Sequence, residues 1–176
     1  MYRIMIVDDE ENISRALRRA LAASNMEIEL FSVPHEALRR AQTANFDLVI
    51  SDYRMPTIDG IQLLATMKQL QPDAMRIIIS GHADLEGLIG AVNAAQIFRF
   101  ISKPWNDPDL VLCVRQALEY RAVLVENRRL ADEVRAQRKE LDRQKTALQK
   151  LEAEYPDLVK INWGEDGAII LGEDDT

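Results

Sequence analysis

An α/β fold with five parallel strands, helices wound on both faces of the sheet, a long helix and a small β-hairpin after it is what this sequence predicts. Three observations predict it. Short apolar runs alternate with amphipathic stretches over about the first hundred residues, the pattern of a parallel sheet flanked by helices. Several of those runs are apolar on consecutive residues, as strands covered on both faces must be. From Asp107-Pro108 to Pro156 the chain then runs in helical pattern without an internal Pro or Gly.

The strands are expected near Arg3–Val7, Glu27–Phe31, Asp47–Ser51, Met75–Ser80 and Ile97–Ser102. Helices fill the gaps, over Glu11–Ala23, Pro34–Thr43, Ile58–Leu70 and Asp84–Asn93. Pro34 suits a first helical turn, where its missing N–H costs nothing, and Asp84 suits an N-cap.

The long helical pattern exceeds the ~25 residues beyond which a coiled coil or a repeat is the ordinary explanation. Asn127, Val134, Leu141, Leu148 and Tyr155 fall at heptad position a, with Val123, Leu130, Gln137, Gln144 and Leu151 at d. An Asn at a fixes register and favours two parallel strands at some cost in stability. Glu133 and Glu140 then lie at g, opposite Arg138 and Lys145 at e of a parallel second copy. The expectation is a parallel homodimer with Asn127, Leu130, Val134, Leu141, Leu148 and Leu151 at its interface. The competing reading is a single solvated helix held by charges three and four apart on its own surface.

Past Pro156, Leu158–Trp163 and Ala168–Leu171 flank a Gly-Glu-Asp-Gly turn, a β-hairpin pattern that would have to pack on something to be stable. The alternative is a flexible acidic tail. The expected organisation is a globular domain over 1–120, a coiled-coil helix over 121–155 continuous with the fifth helix, and an acidic hairpin tail over 156–176.

Composition narrows the function classes. The 176 residues are 47% hydrophobic and 29% charged, ordinary for a globular protein, and no apolar run approaches the ~20 residues of a membrane span. The start of the chain lacks a secretory pattern, so the cytoplasm is the expected location. The single cysteine, Cys113, rules out an intrachain disulfide and suits a small buried apolar position better than a reactive thiol. A net charge of −7 weighs against a duplex-DNA reader, which ordinarily carries a basic face.

Chemistry is expected at the carboxyl ends of the strands, where open α/β sheets place their sites. The first strand ends in Asp8-Asp9 followed by Glu10, and crowded carboxylates repel one another unless a cation sits among them. Magnesium suits such oxygen ligands. The third strand ends in Asp52, able to serve as ligand and nucleophile. The fourth ends in Ser80-Gly81, a hydroxyl for a phosphoryl oxygen, and the fifth in Ser102-Lys103-Pro104, a point charge. Each residue alone has a duller reading as a cap, turn or surface charge. Together, in this order, they suit phosphoryl transfer, which needs mainly positioning and charge neutralisation.

Ile6-Val-Asp-Asp-Glu10, Asp52-Tyr-Arg-Met-Pro56 with Asp59-Gly60, Ser80-Gly-His-Ala83 and Phe100-Ile-Ser-Lys-Pro104 resemble the motifs of two-component receiver domains, over roughly residues 1–120. The resemblance implies a flavodoxin-like receiver fold in which Asp8 and Asp9 hold Mg2+, Asp52 becomes the aspartyl phosphate and the backbone carbonyl of Arg54 completes the metal shell. It also implies that Ser80 is the switch hydroxyl, Phe100 the switch aromatic, Lys103 the phosphate-pairing lysine and the Lys103-Pro104 bond cis. Phe100 stands where tyrosine is frequent, and Arg54 and His82 occupy positions that influence access of the hydrolytic water.

The function implied is a response regulator, not a dedicated enzyme, that takes a phosphoryl group from a histidine kinase or phosphotransfer protein. It would signal through the dimeric coil and a downstream protein partner, without a DNA-binding domain. The acidic ending Gly172–Thr176 looks like a natural terminus and favours this reading. The alternative is the receiver and signalling coil of a longer regulator with an enzymatic output, a cyclic-dinucleotide synthase or hydrolase. A transcription factor would need a helix-turn-helix or basic patch that residues 156–176 do not show.

Overall fold

A computed structural model describes residues 1–22, 25–81, 95–154, 162–163 and 169–170. They form two compact units, Met1–Glu126 and Asn127–Thr176. In chain order the first contains β1 (Tyr2–Val7), α1 (Glu11–Leu21), β2 (Met26–Phe31), α2 (Pro34–Ala41), β3 (Leu48–Asp52), α3 (Gly60–Leu70), β4 (Met75–Gly81) and β5 (Arg99–Lys103). Helix α4 follows over Asp107–Glu154. The five strands pair in parallel in the order β2-β1-β3-β4-β5. This is the doubly wound, flavodoxin-like sheet expected from the sequence.

Alternation along the strands explains why both sheet faces need cover. Ile4, Ile6, Leu48, Ile50, Ile77 and Ile79 point to one face and pack against Leu17 and Leu21 of α1 and Leu110, Val114 and Leu118 of α4. Met5, Val7, Val49 and Ile78 point to the other, against Ala37 and Ala41 of α2 and Leu63, Leu64 and Met67 of α3. Cys113 is buried in the first cluster, and desolvation raises its thiol pKa.

Several boundaries differ from expectation by one or two residues, and two of these shifts have clear local reasons. Helix α3 begins at Gly60 rather than Ile58 because Asp59 caps it. The Asp59 carboxylate accepts the Gln62 N–H at 2.8 Å and Gln62 Oε1 accepts the Asp59 N–H at 3.3 Å. Strand β5 begins at Arg99 rather than Ile97, after a turn in which Gln96 adopts a φ of 47° and the Phe98 N–H donates to the Arg76 carbonyl at 2.7 Å. The expected helix over Asp84–Asn93 lies outside the described residues, as does His82.

In the second unit α4 remains helical to Glu154, and its described side chains are exposed. Short strands β6 (Asn162–Trp163) and β7 (Ile169–Ile170) pair antiparallel. The rest of the expected hairpin, and Tyr155 of the heptad series, lie outside the described residues. No helix among the described residues is long and apolar enough to cross a membrane.

Candidate functional site

The carboxyl ends of β1, β3 and β5 bring Asp8, Asp52 and Lys103 together. Asp8 is 1% exposed and Asp52 7%, so both carboxylates are nearly out of water. Lys103 Nζ stands 2.6 Å from Asp52 Oδ1, 3.0 Å from Asp8 Oδ2 and 3.9 Å from Glu10 Oε1. The remaining carboxylate oxygens are held by backbone. Asp8 Oδ1 accepts the Glu10 N–H at 2.8 Å, and Asp52 Oδ2 accepts the Arg54 N–H at 2.7 Å.

One ammonium serves two buried carboxylates, which leaves a local excess of negative charge. Burial holds the Asp8 carboxyl above its ordinary range; bonds from Glu10 and Lys103 oppose this, and the charge of Asp52 adds to it. For Lys103 burial acts downward, but hydrogen bonds to Asp52 and Asp8 outweigh it and the ammonium is held more firmly than usual. A site with charge still to be neutralised suits a cation or a phosphoryl group flanked by one.

The expected magnesium can be judged by the donor set. Asp9 is exposed, and among the described residues no three His, Cys, Asp or Glu side chains close into a metal-holding group. Magnesium ordinarily keeps several waters and takes only one or two carboxylates, with phosphate oxygens completing its shell. Two buried carboxylates short of positive charge, with Arg54 two residues after Asp52 in the β3–α3 loop, fit that requirement.

Ser80 is buried at the end of β4, its Oγ reaching the Gly81 carbonyl at 3.4 Å, and it pairs in register with Ser102. Phe100 is half-buried on β5, packed against the cluster that includes Ile78 and Met55. The Lys103-Pro104 bond is cis.

Two supporting residues carry roles that motif reading did not assign. A Cβ on Gly60 would stand 2.1 Å from the Asp52 carbonyl oxygen, so only glycine lets the start of α3 lie against the Asp52 backbone. The Gly60 N–H also donates to the Tyr53 carbonyl at 2.9 Å. Ser14 of α1, 3% exposed, reaches the Asp8 carbonyl at 3.4 Å. The Asp59-Gly60 pair was a visible signal for the first. A lone serine in an amphipathic helix gave none for the second.

The family profile of the response regulator receiver domain matches residues 4–115. The chain belongs to this family. Among solved receivers, the signal receiver domain of an HD domain-containing protein from Pseudomonas fluorescens Pf-5 is 35% identical, with a TM-score of 0.68 over 71% of this chain and 92% of that one. A response regulator receiver domain protein from Clostridium thermocellum is 28% identical, with a TM-score of 0.65 over 70% of this chain and 99% of that one. The curated relative HoxA, a hydrogenase transcriptional regulatory protein of Cupriavidus necator, is 34% identical over 75% of this chain and 27% of its own length. The chain thus spans about a quarter of the length of such curated relatives. What is shared is a receiver followed, in this chain, by a long helix.

Proposed function

We propose that this receiver accepts a phosphoryl group on Asp52 from a phosphohistidine of a histidine kinase or phosphotransfer protein, and signals through self-association of α4. The observation that carries the reading is the placement of Lys103 Nζ between Asp52 Oδ1 at 2.6 Å and Asp8 Oδ2 at 3.0 Å. Asp52 Oδ1 attacks phosphorus as the bond to the donor imidazole breaks, and Lys103 turns from the carboxylate to the incoming phosphoryl oxygens. The Arg54 N–H keeps hold of Oδ2, which fixes the direction of attack. Asp8, Asp9, Asp52 and the Arg54 carbonyl would hold Mg2+, directly or through its waters, and the ion would supply the positive charge that the carboxylate cluster lacks. Ser80 then donates to a phosphoryl oxygen, and Phe100 turns toward the space it leaves, biasing a two-state face.

For the output, α4 presents exposed Leu130, Val134, Leu141, Leu148 and Leu151, the apolar positions of the heptad register, with Asn127 and the polar Gln137 and Gln144 between them. A parallel second copy covers that stripe and pairs Glu133 with Arg138 and Glu140 with Lys145. Within one helix the pairs Arg129–Glu133 at 3.5 Å, Arg143–Glu140 at 3.8 Å and Arg135–Asp132 are among the contacts a solitary helix would use instead. Exposed pairs of this kind contribute at most ~0.5 kcal/mol each, so burial of the apolar stripe supports the paired helix. The protein is read as a cytoplasmic regulator whose segments 1–120, 121–155 and 156–176 are receiver, coil and tail, and whose tail meets a downstream protein.

A second reading keeps the same site but makes the chain the front of a longer regulator with an enzymatic output. It is favoured by the resemblance to the receiver of an HD domain-containing protein and by the greater length of the curated relatives. Light scattering with magnesium, before and after beryllofluoride, separates the first reading from a solitary helix. A dimer in either state is the expected result, and a monomer in both contradicts the coil.

A further inference from the structure

Consecutive residues of α4 grip the sheet at the ends opposite the site. The Tyr120 ring lies 5.7 Å from that of Phe98, centroid to centroid and tilted by 32°, and Phe98 directly precedes β5. Arg121 Nη1 lies 2.8 Å from Asp47 Oδ1, at the entry to β3, and the other oxygen of Asp47 accepts the Arg3 N–H at 2.7 Å. These two strands end in Asp52 and Lys103, the pair joined at 2.6 Å. A change in how those residues pair acts on strands whose far ends are held by neighbouring positions of one helix.

Tyr120 has a second side. Leu110, Cys113, Val114, Ala117 and Leu118 of α4 face the core, whereas Tyr120 and Val123 are 51% and 56% exposed. In the heptad register Tyr120 is an a residue and Val123 a d residue, one heptad before Asn127 and Leu130. The apolar stripe therefore begins inside the receiver unit, at the margin of the helix face that meets the core. Its occupant is a second copy of this chain, since the stripe continues at heptad spacing and the flanking charges complement those of a parallel twin. The Tyr120 ring is the point where the stripe also touches the sheet.

We propose that Tyr120 is the positioning residue through which the state of Asp52 acts on self-association: one side of its ring reads Phe98 and β5, and the other forms the first layer of the dimer seam. The proposal rests on the coiled-coil reading and names its control point. Packed aromatic contacts do not deform smoothly, so movement of Phe98 with β5 changes the seating of Tyr120 in the seam. Linkage makes the coupling reciprocal: what dimerisation gains from the phosphorylated state, the phosphorylated state gains from dimerisation.

The test uses the full chain with magnesium. Its dimerisation constant is measured by sedimentation with and without beryllofluoride for wild type, Tyr120→Ala and Tyr120→Phe. Occupancy of the site is followed by the fluorescence of Trp105, which lines a cavity with Lys103, in a Trp163→Phe background. Beryllofluoride is expected to change the wild-type constant by about fivefold or more. In Tyr120→Ala the constant becomes insensitive to beryllofluoride while the Trp105 response persists, and Tyr120→Phe, which keeps the ring, keeps the shift. A shift that survives in Tyr120→Ala, or a wild-type dimer that beryllofluoride leaves unchanged, overturns the coupling and leaves the dimer standing. A wild type that is monomeric throughout removes the coiled coil and the coupling with it.

Discussion

The two ends of the same sheet treat charge in opposite ways. At the carboxyl edge two buried carboxylates share one ammonium, and Asp8 is held above its ordinary pKa by burial and by the charge of Asp52. At the amino edge each oxygen of Asp47 has its own donor, Arg121 on one side and the Arg3 N–H on the other. On β2, the edge strand beyond β1, Glu29 is held by both Arg3 and Arg40, at 2.7 and 2.8 Å. Charge that is balanced contributes to stability and fastens elements together. Charge left over at a buried edge costs stability and marks where a ligand is to supply what is missing.

Substitutions at the two edges should therefore behave differently. The largest effect is expected for Gly60→Ala, because its Cβ meets the Asp52 carbonyl at 2.1 Å and one backbone must move. Stability should fall by about 3 kcal/mol, read by urea unfolding, and phosphoryl acceptance by about a hundredfold through misplacement of Asp52. At the amino edge Arg121→Ala should cost about 1 kcal/mol by the same measurement without altering phosphoryl acceptance, since the pair it breaks is partly exposed.

Asp8→Asn should do the reverse, raising the unfolding midpoint slightly while lowering phosphoryl acceptance. It keeps an acceptor for the Glu10 N–H and removes a carboxylate whose ionisation is unfavourable in the folded state. The gain should be about 1 kcal/mol or less. A loss of stability in Asp8→Asn would break the contrast between the edges.

The smallest effect is a pH dependence at Glu29. Its carboxyl is held below the ordinary range, chiefly by the hydrogen bond from Arg40, with burial opposing. A lowered folded-state value means stability that is present above the unfolded glutamate pKa and lost as pH falls through the folded one. The wild-type advantage over Glu29→Gln should thus be present at neutral pH and shrink as pH falls below the ordinary glutamate range.

The sheet and the placement of Asp8, Asp52 and Lys103 at one edge were legible because both follow from local pattern: buried parallel strands are apolar throughout, and parallel strands deliver their ends to one side. The start of α3 was misplaced at Ile58 because hydropathy marks the apolar residue, whereas the capping box of Asp59 and Gln62 decides where helical hydrogen bonding begins. The start of β5 was shifted because Gln96 adopts a positive φ, which no residue preference signals for glutamine. The Arg121–Asp47 pair and the Phe98–Tyr120 contact join residues distant in sequence, and an exposed-looking arginine or tyrosine in a helix carries no mark of its partner. The proximity of Gly60 to the Asp52 carbonyl is a fact of backbone approach, visible only when the loop is seen closed.

The claim that Asp52 is the phosphoryl acceptor is tested most directly by intact-mass spectrometry after incubation with acetyl phosphate, with magnesium or with a chelator, on wild type and Asp52→Asn. The account predicts that wild type gains one phosphoryl group only with magnesium and that Asp52→Asn gains none. Undiminished uptake by Asp52→Asn, or uptake by wild type that the chelator does not reduce, would contradict it.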